Sequence, residues 1–311
     1  MKKNIKIISL VISLLAFHLS FPSFAMQDGL EAEGHVSTLN GKLFYRDTGG
    51  KGPVLALFHG NSASSQIFEK LMKAGLPYRM IAFDSPGHGK SDDFLNCKES
   101  YCHLGCARAF REGLDKLKIG KFSALGWSEG GHQAINLLYL VGDRMESLIF
   151  TGTPPLPHDP ELIFTLAFKD IPEMKLLGKE EKFNKEEALR FVECQGLDPN
   201  DVPFMIEAAM RTDGLARTLP LKIIMEGGER INEVETIKRS KTPILILGGK
   251  NDIGVNYVYV QDLMKSFPEN VKMHLLDGPH AHLWTNSEEF NSRVDRFLKG
   301  NSKLLKGHSK L

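Results

Sequence analysis

Gly126-Trp127-Ser128-Glu129-Gly130-Gly131 follows a short apolar run, Phe122 to Gly126, and leads into a helix-forming one, Gly131 to Val141. The pattern G-x-S-x-G between a strand and a helix predicts a sharp turn that lifts a serine hydroxyl clear of a sheet. In so tight a turn the positions flanking Ser128 cannot carry large side chains, which accounts for the glycines. The backbone N–H of Glu129 then faces the site from a helix N-terminus, where the dipole favours developing negative charge. Taken alone the pattern is weak, with a chance occurrence of about one in ten for a chain of this size. Its setting carries the weight. The bland alternative is a plain strand-to-helix turn with a solvated serine.

A serine hydroxyl is a poor nucleophile unless a base takes its proton. The sequence is therefore expected to supply a histidine, oriented by a carboxylate. Asp252 follows the apolar run Pro243 to Leu247, at the C-terminal end of a strand, where α/β sheets place their sites. The preceding strand ends in Thr151-Gly152-Thr153-Pro154, which has no carboxylate. Two histidines, His280 and His282, follow the last strand, and one of them is the expected base. The second oxyanion donor is expected after the strand Val54 to Phe58, in His59-Gly60-Asn61-Ser62. Gly60 permits close approach of the backbone, and the N–H of Asn61 is the donor. His59 orients this loop. Asp84 and His88 stabilise a Gly/Pro turn.

Around these pieces strands and helices alternate. His35 to Arg46 reads as a hairpin about Asn40-Gly41. Strands are predicted at Arg79 to Phe83, Ser147 to Thr151 and Val271 to Leu276. Helices are predicted at Ser64 to Ala74, Gly105 to Leu117 and Ser287 to Leu298. This alternation implies an α/β protein with a mostly parallel central sheet flanked by helices. Between Leu156 and Ser240 the strand pattern stops, and amphipathic stretches such as Lys185 to Val192 and Pro203 to Arg211 replace it. The expected organisation is a core in two parts, 26–155 and 241–300, interrupted by a helical insertion, 156–240. A loose polar tail, 301–311, follows.

The 311 residues include 39 Lys or Arg and 38 Asp or Glu, for a formal charge of +1. With 42% apolar and 25% charged residues the chain is too hydrophobic for disorder and lacks the basic excess of a nucleic-acid binder. Residues 1–25 read as a secretory signal peptide. Lys2, Lys3 and Lys6 precede the apolar run Ile7 to Phe17, and small residues stand before a cut after Ala25. The run falls short of the ~20 residues a spanning helix needs, so no stable membrane insertion is expected after cleavage. Losing the segment turns the charge from +1 to −2. The expected location is periplasmic or secreted. Cys97, Cys102, Cys106 and Cys194 would then meet an oxidising compartment, with at least one bridge expected inside the first three. A metal site at Cys97, Cys102, His103 and Cys106 does not match a zinc spacing.

Together His59-Gly60-Asn61, Asp84 to Ser91, Gly126 to Gly131, Gly249 to Asp252 and Gly278-Pro279-His280 resemble the α/β-hydrolase superfamily. Within it they resemble the capped serine esterase/lipase-like members. The resemblance spans about 60 to 300 and is far more specific for fold than for substrate. It implies Ser128 as nucleophile, Asp252 as orienter and, counting back from Phe290, His280 as base. Pro279 stands where the family has glycine, and His282 is the alternative base. The resemblance makes 156–240 a cap over the pocket, with Phe164, Phe168, Phe204 and Met205 as lining candidates. Dehalogenase and epoxide hydrolase relatives carry Asp at the elbow, and iminopeptidase relatives carry a Gly-Gly-Pro-Gly run where this chain has Asn-Ser-Ala. Glu129 resembles the Asp of the amino-acid-ester hydrolase branch, which suggests substrates with a cationic group. Its alternative is a solvated glutamate. The implied activity is exported hydrolysis of small-molecule carboxylic esters through an acyl-enzyme, with no metal or organic cofactor. Thioester, lactone or carbon–carbon bond hydrolysis and a non-catalytic ligand-binding role are the alternatives.

Overall fold

A computed structural model of the chain describes residues 32–226 and 228–301. The expected signal segment and the tail from 302 onward lie outside the described residues. Eight strands form one sheet: β1 (Ala32–Ser37), β2 (Lys42–Asp47), β3 (Val54–Phe58), β4 (Arg79–Phe83), β5 (Phe122–Trp127), β6 (Met145–Thr151), β7 (Ile244–Gly249) and β8 (Val271–Leu276). Their order is β1-β2-β4-β3-β5-β6-β7-β8. β1 and β2 pair antiparallel as the predicted hairpin, and β2 pairs antiparallel with β4. Every pairing from β4 to β8 is parallel.

The alternation of side chains explains why the central strands are apolar throughout. Ala56 and Phe58 of β3 enter one buried layer, and Leu55 and Leu57 enter the other. In β7, Ile244 and Ile246 likewise face away from Leu245 and Leu247. Both faces are therefore covered, as parallel sheets require. The helices His103–Lys116 and Glu129–Val141 contribute Phe110, Leu114 and Ile135 to the first layer. The helix Ser287–Asn301 contributes Phe290, Val294 and Leu298 to the second. Its last turn includes Asn301, which the sequence reading gave to the tail.

Residues between β6 and β7 form the helices Lys185–Glu193, Pro203–Arg211, Gly214–Met225 and Glu233–Arg239, preceded by shorter turns. Asn184 and Glu187 start the first of them with a reciprocal capping box. This insertion is no detached lid. Ala216 and Leu219 are buried in one layer of the core, and Val192, Val202 and Met205 in the other. No helix among the described residues is long and apolar enough to cross a membrane.

The cysteines correct an expectation, because all four are free thiols. Backbone groups take up their sulfurs. Cys102 Sγ accepts from Gly105 N at 3.2 Å and caps the helix His103–Lys116, which thus begins two residues earlier than predicted. Cys97 donates to Phe94 O and Cys106 to Ser100 O, each at 3.4 Å. The cysteines therefore add no support to an oxidising location.

Candidate active site

The parallel register brings the ends of β3, β5, β6, β7 and β8 to one edge: Phe58 pairs with Gly126, Trp127 with Thr151 and Gly249 with Leu276. Ser128 leaves β5 there with φ 55° and ψ −122°, a conformation that L-residues rarely adopt. Close packing imposes this turn. A Cβ on Gly126 would meet the Gly130 carbonyl oxygen at 2.2 Å, and one on Gly130 would meet the Phe58 carbonyl oxygen at 2.1 Å. The Ser128 N–H donates to Thr151 O at 2.8 Å, and the Thr153 hydroxyl donates to Ser128 O at 2.7 Å. Glu129 opens the helix Glu129–Val141, whose first N–H groups have no partner within the helix.

Asp252 lies buried beyond β7. Its Oδ1 accepts from Gly254 N at 2.9 Å and Val255 N at 3.1 Å. Its Oδ2 faces His280 Nδ1 at 2.8 Å, with the Tyr257 hydroxyl at 3.5 Å. Burial alone would raise the Asp252 pKa. The imidazole charge and these hydrogen bonds outweigh it and hold the carboxyl down to about 2. Burial would in turn lower His280, but the Asp252 charge and hydrogen bond raise it above the ordinary histidine value. With Nδ1–H donated to a carboxylate, the neutral ring keeps Nε2 as its acceptor.

His282 lies elsewhere. It is fully buried, donates Nδ1–H to Pro279 O at 3.1 Å, and accepts at Nε2 from the Thr151 hydroxyl at 2.9 Å. Burial pushes its pKa down to about 4, so it is a neutral packing residue. His59 is buried too. It donates from Nδ1 to its neighbour Gly60 O at 2.7 Å and accepts from Ser85 N at 2.9 Å, which ties two loops together. Asp84 accepts from Ser65 N at 2.6 Å and Lys90 N at 2.7 Å, as a turn-holding carboxylate should.

Ser128, His280, Asn61 and Glu129 line one cavity of about 150 Å³. Its walls are otherwise mostly apolar and include Leu156, Phe168, Met174, Leu221, Ile224 and Val255. Of the aromatic and Met candidates in the insertion, Phe168 faces this cavity. Phe164 is exposed, Phe204 packs on Trp284, and Met205 is buried in the core. Glu129 is not the solvated glutamate of the bland reading. It is half-buried against the cavity and accepts from Asn61 Nδ2 at 2.5 Å. Desolvation raises its pKa to about 8, so at neutral pH it is mostly an uncharged acid.

Three supports of this site have no motif. Arg217 is fully buried in the insertion and donates to Ser62 Oγ at 3.1 Å and to the carbonyls of Lys179 and Glu181. Its own carbonyl accepts from Asn61 Nδ2 at 2.9 Å, so the loop bearing Asn61 is clamped to the insertion. Lys169 donates to Asp252 O at 2.7 Å, and Phe168 pairs with Val255 as an isolated bridge. A buried arginine in an apolar helix was the one available signal, but its partners are distant in sequence.

Comparison with known proteins agrees with this fold. A family model for the alpha/beta hydrolase fold matches residues 53–287. A 2-hydroxy-6-oxononadienedioate/2-hydroxy-6-oxononatrienedioate hydrolase from Burkholderia vietnamiensis is 27% identical over 290 residues, 88% of this chain and 93% of the relative. The structure of the N-acyl homoserine lactonase AidH complexed with N-butanoyl homoserine superposes with a TM-score of 0.79 at 29% identity, covering 88% of this chain and 98% of that one. The carboxylesterase CesB from Bacillus subtilis shares the fold, with a TM-score of 0.71 at 19% identity over 87% of this chain and 92% of that one.

Proposed function

Since the chain belongs to the α/β-hydrolase fold family, we propose that it is a serine hydrolase of small carboxylic esters, open-chain or cyclic, and that it acts after export. The observation that carries this reading is the Asp252–His280 hydrogen bond of 2.8 Å at the cavity that Ser128 also lines. Ser128 Oγ attacks the acyl carbon, and His280 Nε2 takes its proton. Asp252 holds the tautomer and offsets the charge of the imidazolium that forms. The N–H groups of Asn61 and Glu129 stabilise the oxyanion, at roughly 3 kcal/mol per donor. His280 then protonates the leaving alcohol, and water releases the acid by the same steps. The layout of residues 1–25 supports export.

The cavity supports a neutral acyl group. A volume near 150 Å³ holds a group about the size of benzene. Among the described residues that line it, the one arginine or lysine is Arg217, whose donors are engaged by Ser62 and backbone carbonyls. A dianionic chain of the kind named for the Burkholderia relative would find no free cation there. The likeness to a lactonase at 29% identity supports cyclic esters within the same class.

A fluorophosphonate probe tests the reading. The folded protein is expected to be labelled at Ser128, located by peptide mass spectrometry, and to turn over esters or lactones from a mixed panel. A folded protein that is never labelled points to a ligand-binding role, and turnover confined to carbon–carbon substrates removes ester chemistry.

Glu129 makes the pH profile informative. The acid limb of kcat/KM should lie above the ordinary histidine value, because the raised pKa of His280 delays formation of the neutral base. Above pH about 8, ionised Glu129 adds negative charge beside the developing oxyanion, and the rate should fall. Glu129→Gln should remove the alkaline limb and leave the acid limb in place. An alkaline limb unchanged in that variant rules the assignment out.

A further inference from the structure

A second polar cluster lies in the wall of the Ser128 cavity, which His103 and His132 also line, away from the Asp252–His280 pair. His103 begins the helix His103–Lys116, His132 sits one turn after Glu129, and Glu233 begins the helix Glu233–Arg239. One donor atom from each lies within 4.8 Å of the others. The imidazoles of His103 and His132 are in contact, with centroids 4.9 Å apart. His132 Nδ1 shares a proton with Glu233 Oε2 at 2.9 Å, and both residues are buried. Leu156 N donates to the same oxygen at 2.9 Å, and Asn136 Nδ2 to the other at 3.2 Å. The guanidinium of Arg230 lies nearby and is engaged by the carbonyls of Pro157 and His158.

One atom here is left without a partner. Asn136 is 2% exposed, and its Oδ1 accepts nothing. Its amide nitrogen already serves His132 O and Glu233, so a flip of the amide would oppose two acceptors. Asn136, His103 and Glu233 border a separate cavity of about 10 Å³, near the smallest that accepts one water-sized occupant. A buried acceptor without a partner beside two imidazoles and a carboxylate calls for a positive or proton-donating occupant.

We propose that His103, His132 and Glu233 bind one divalent metal ion of the zinc class. Two imidazoles and a carboxylate are a zinc donor set that leaves a fourth position for water. Bonds of ~2.0–2.1 Å place neighbouring donors of a tetrahedron about 3.3 Å apart, so the His132–Glu233 pair needs to open by only a few tenths of an ångström. The ion takes the place of the proton between them, and that proton moves to Nε2 of His132, so the ring binds through Nδ1 as the other neutral tautomer. The ion joins two core helices to the helix by which the insertion returns to the sheet. Its role is to clamp them, and the Ser128 chemistry does not require it.

The full chain, stripped with a chelator and dialysed, is titrated with zinc chloride alone and, separately, with cobalt(II). One ion per chain should bind, Tm should rise, and cobalt should give visible bands of a tetrahedral site without a thiolate charge-transfer band. His103→Ala should weaken zinc binding at least ~100-fold and abolish the Tm rise, since a direct ligand matters at least as much as the outer partners. His103→Leu serves if the alanine variant folds poorly. Ser128→Ala should bind zinc as the wild type does. Equal binding by wild type and His103 variants, or a thiolate band from the free cysteines, overturns the site. So does the absence of binding, which leaves the small cavity to a water molecule.

Discussion

Ser128→Ala is expected to lower kcat for the best ester substrate by a factor on the order of 10⁶, with KM little changed. The loss is large because it removes the attacking atom while leaving the cavity intact. Ser128 sits at φ 55° in a turn whose neighbours tolerate no added carbon, and alanine keeps that backbone and volume. The protein should therefore still fold and bind substrate. Residual activity, on the order of 10³–10⁴ over water, should persist through the oxyanion donors and substrate positioning. Turnover by enzyme from a host lacking other esterases, with circular dichroism as the folding control, decides the matter. A variant within about tenfold of wild type would mean that Ser128 is not the nucleophile, since removing a triad member costs far more.

Asp252→Asn is expected to lower kcat at neutral pH by about 10⁴-fold. The hydrogen-bond pattern fixes how the amide would sit. Oδ1 accepts from Gly254 N and Val255 N, so the amide oxygen takes that place and its NH₂ group faces His280 Nδ1. Nδ1 must then accept a hydrogen bond, the ring proton moves to Nε2, and the base has lost its acceptor. KM should change little, because Asp252 is buried behind the histidine and does not line the cavity. Retention of most activity would show that another group orients His280. The Lys169 contact should survive, since it is made to the backbone oxygen of Asp252.

Much of this architecture was legible because the relevant physics is local. The strand runs and helix starts follow from alternation, from apolar runs covered on both faces and from caps near each terminus. The elbow glycines announced a close approach that the structure measures in ångströms. The order of Ser128, Asp252 and His280 was readable because each follows a strand, and parallel pairing delivers those ends to one edge. Residues whose role depends on distant partners were not readable. Phe164, Phe168, Phe204 and Met205 looked equivalent in sequence, yet packing sends them to solvent, the cavity, a tryptophan and the core. The cysteine cluster suggested a bridge, whereas all four are free thiols whose sulfurs engage a helix cap and backbone carbonyls.

His280 and His282 mark the boundary. Chain order limits the base to these two, and the family pattern prefers the first. The three-dimensional contacts separate them: one imidazole meets a carboxylate held near pKa 2, and the other is enclosed between a carbonyl and a hydroxyl. Glu129 shows the same division. Its place beside the serine is written in the motif, but its charge depends on how much water the folded insertion excludes, and that desolvation lifts its pKa to about 8. Sequence alone determined the strand order of the chemistry and the residue types at the turn, because those rest on near neighbours. Tautomer, charge and cavity shape were decided by tertiary structure, because they depend on atoms that folding brings together from distant positions, such as the 156 between Asn61 and Arg217.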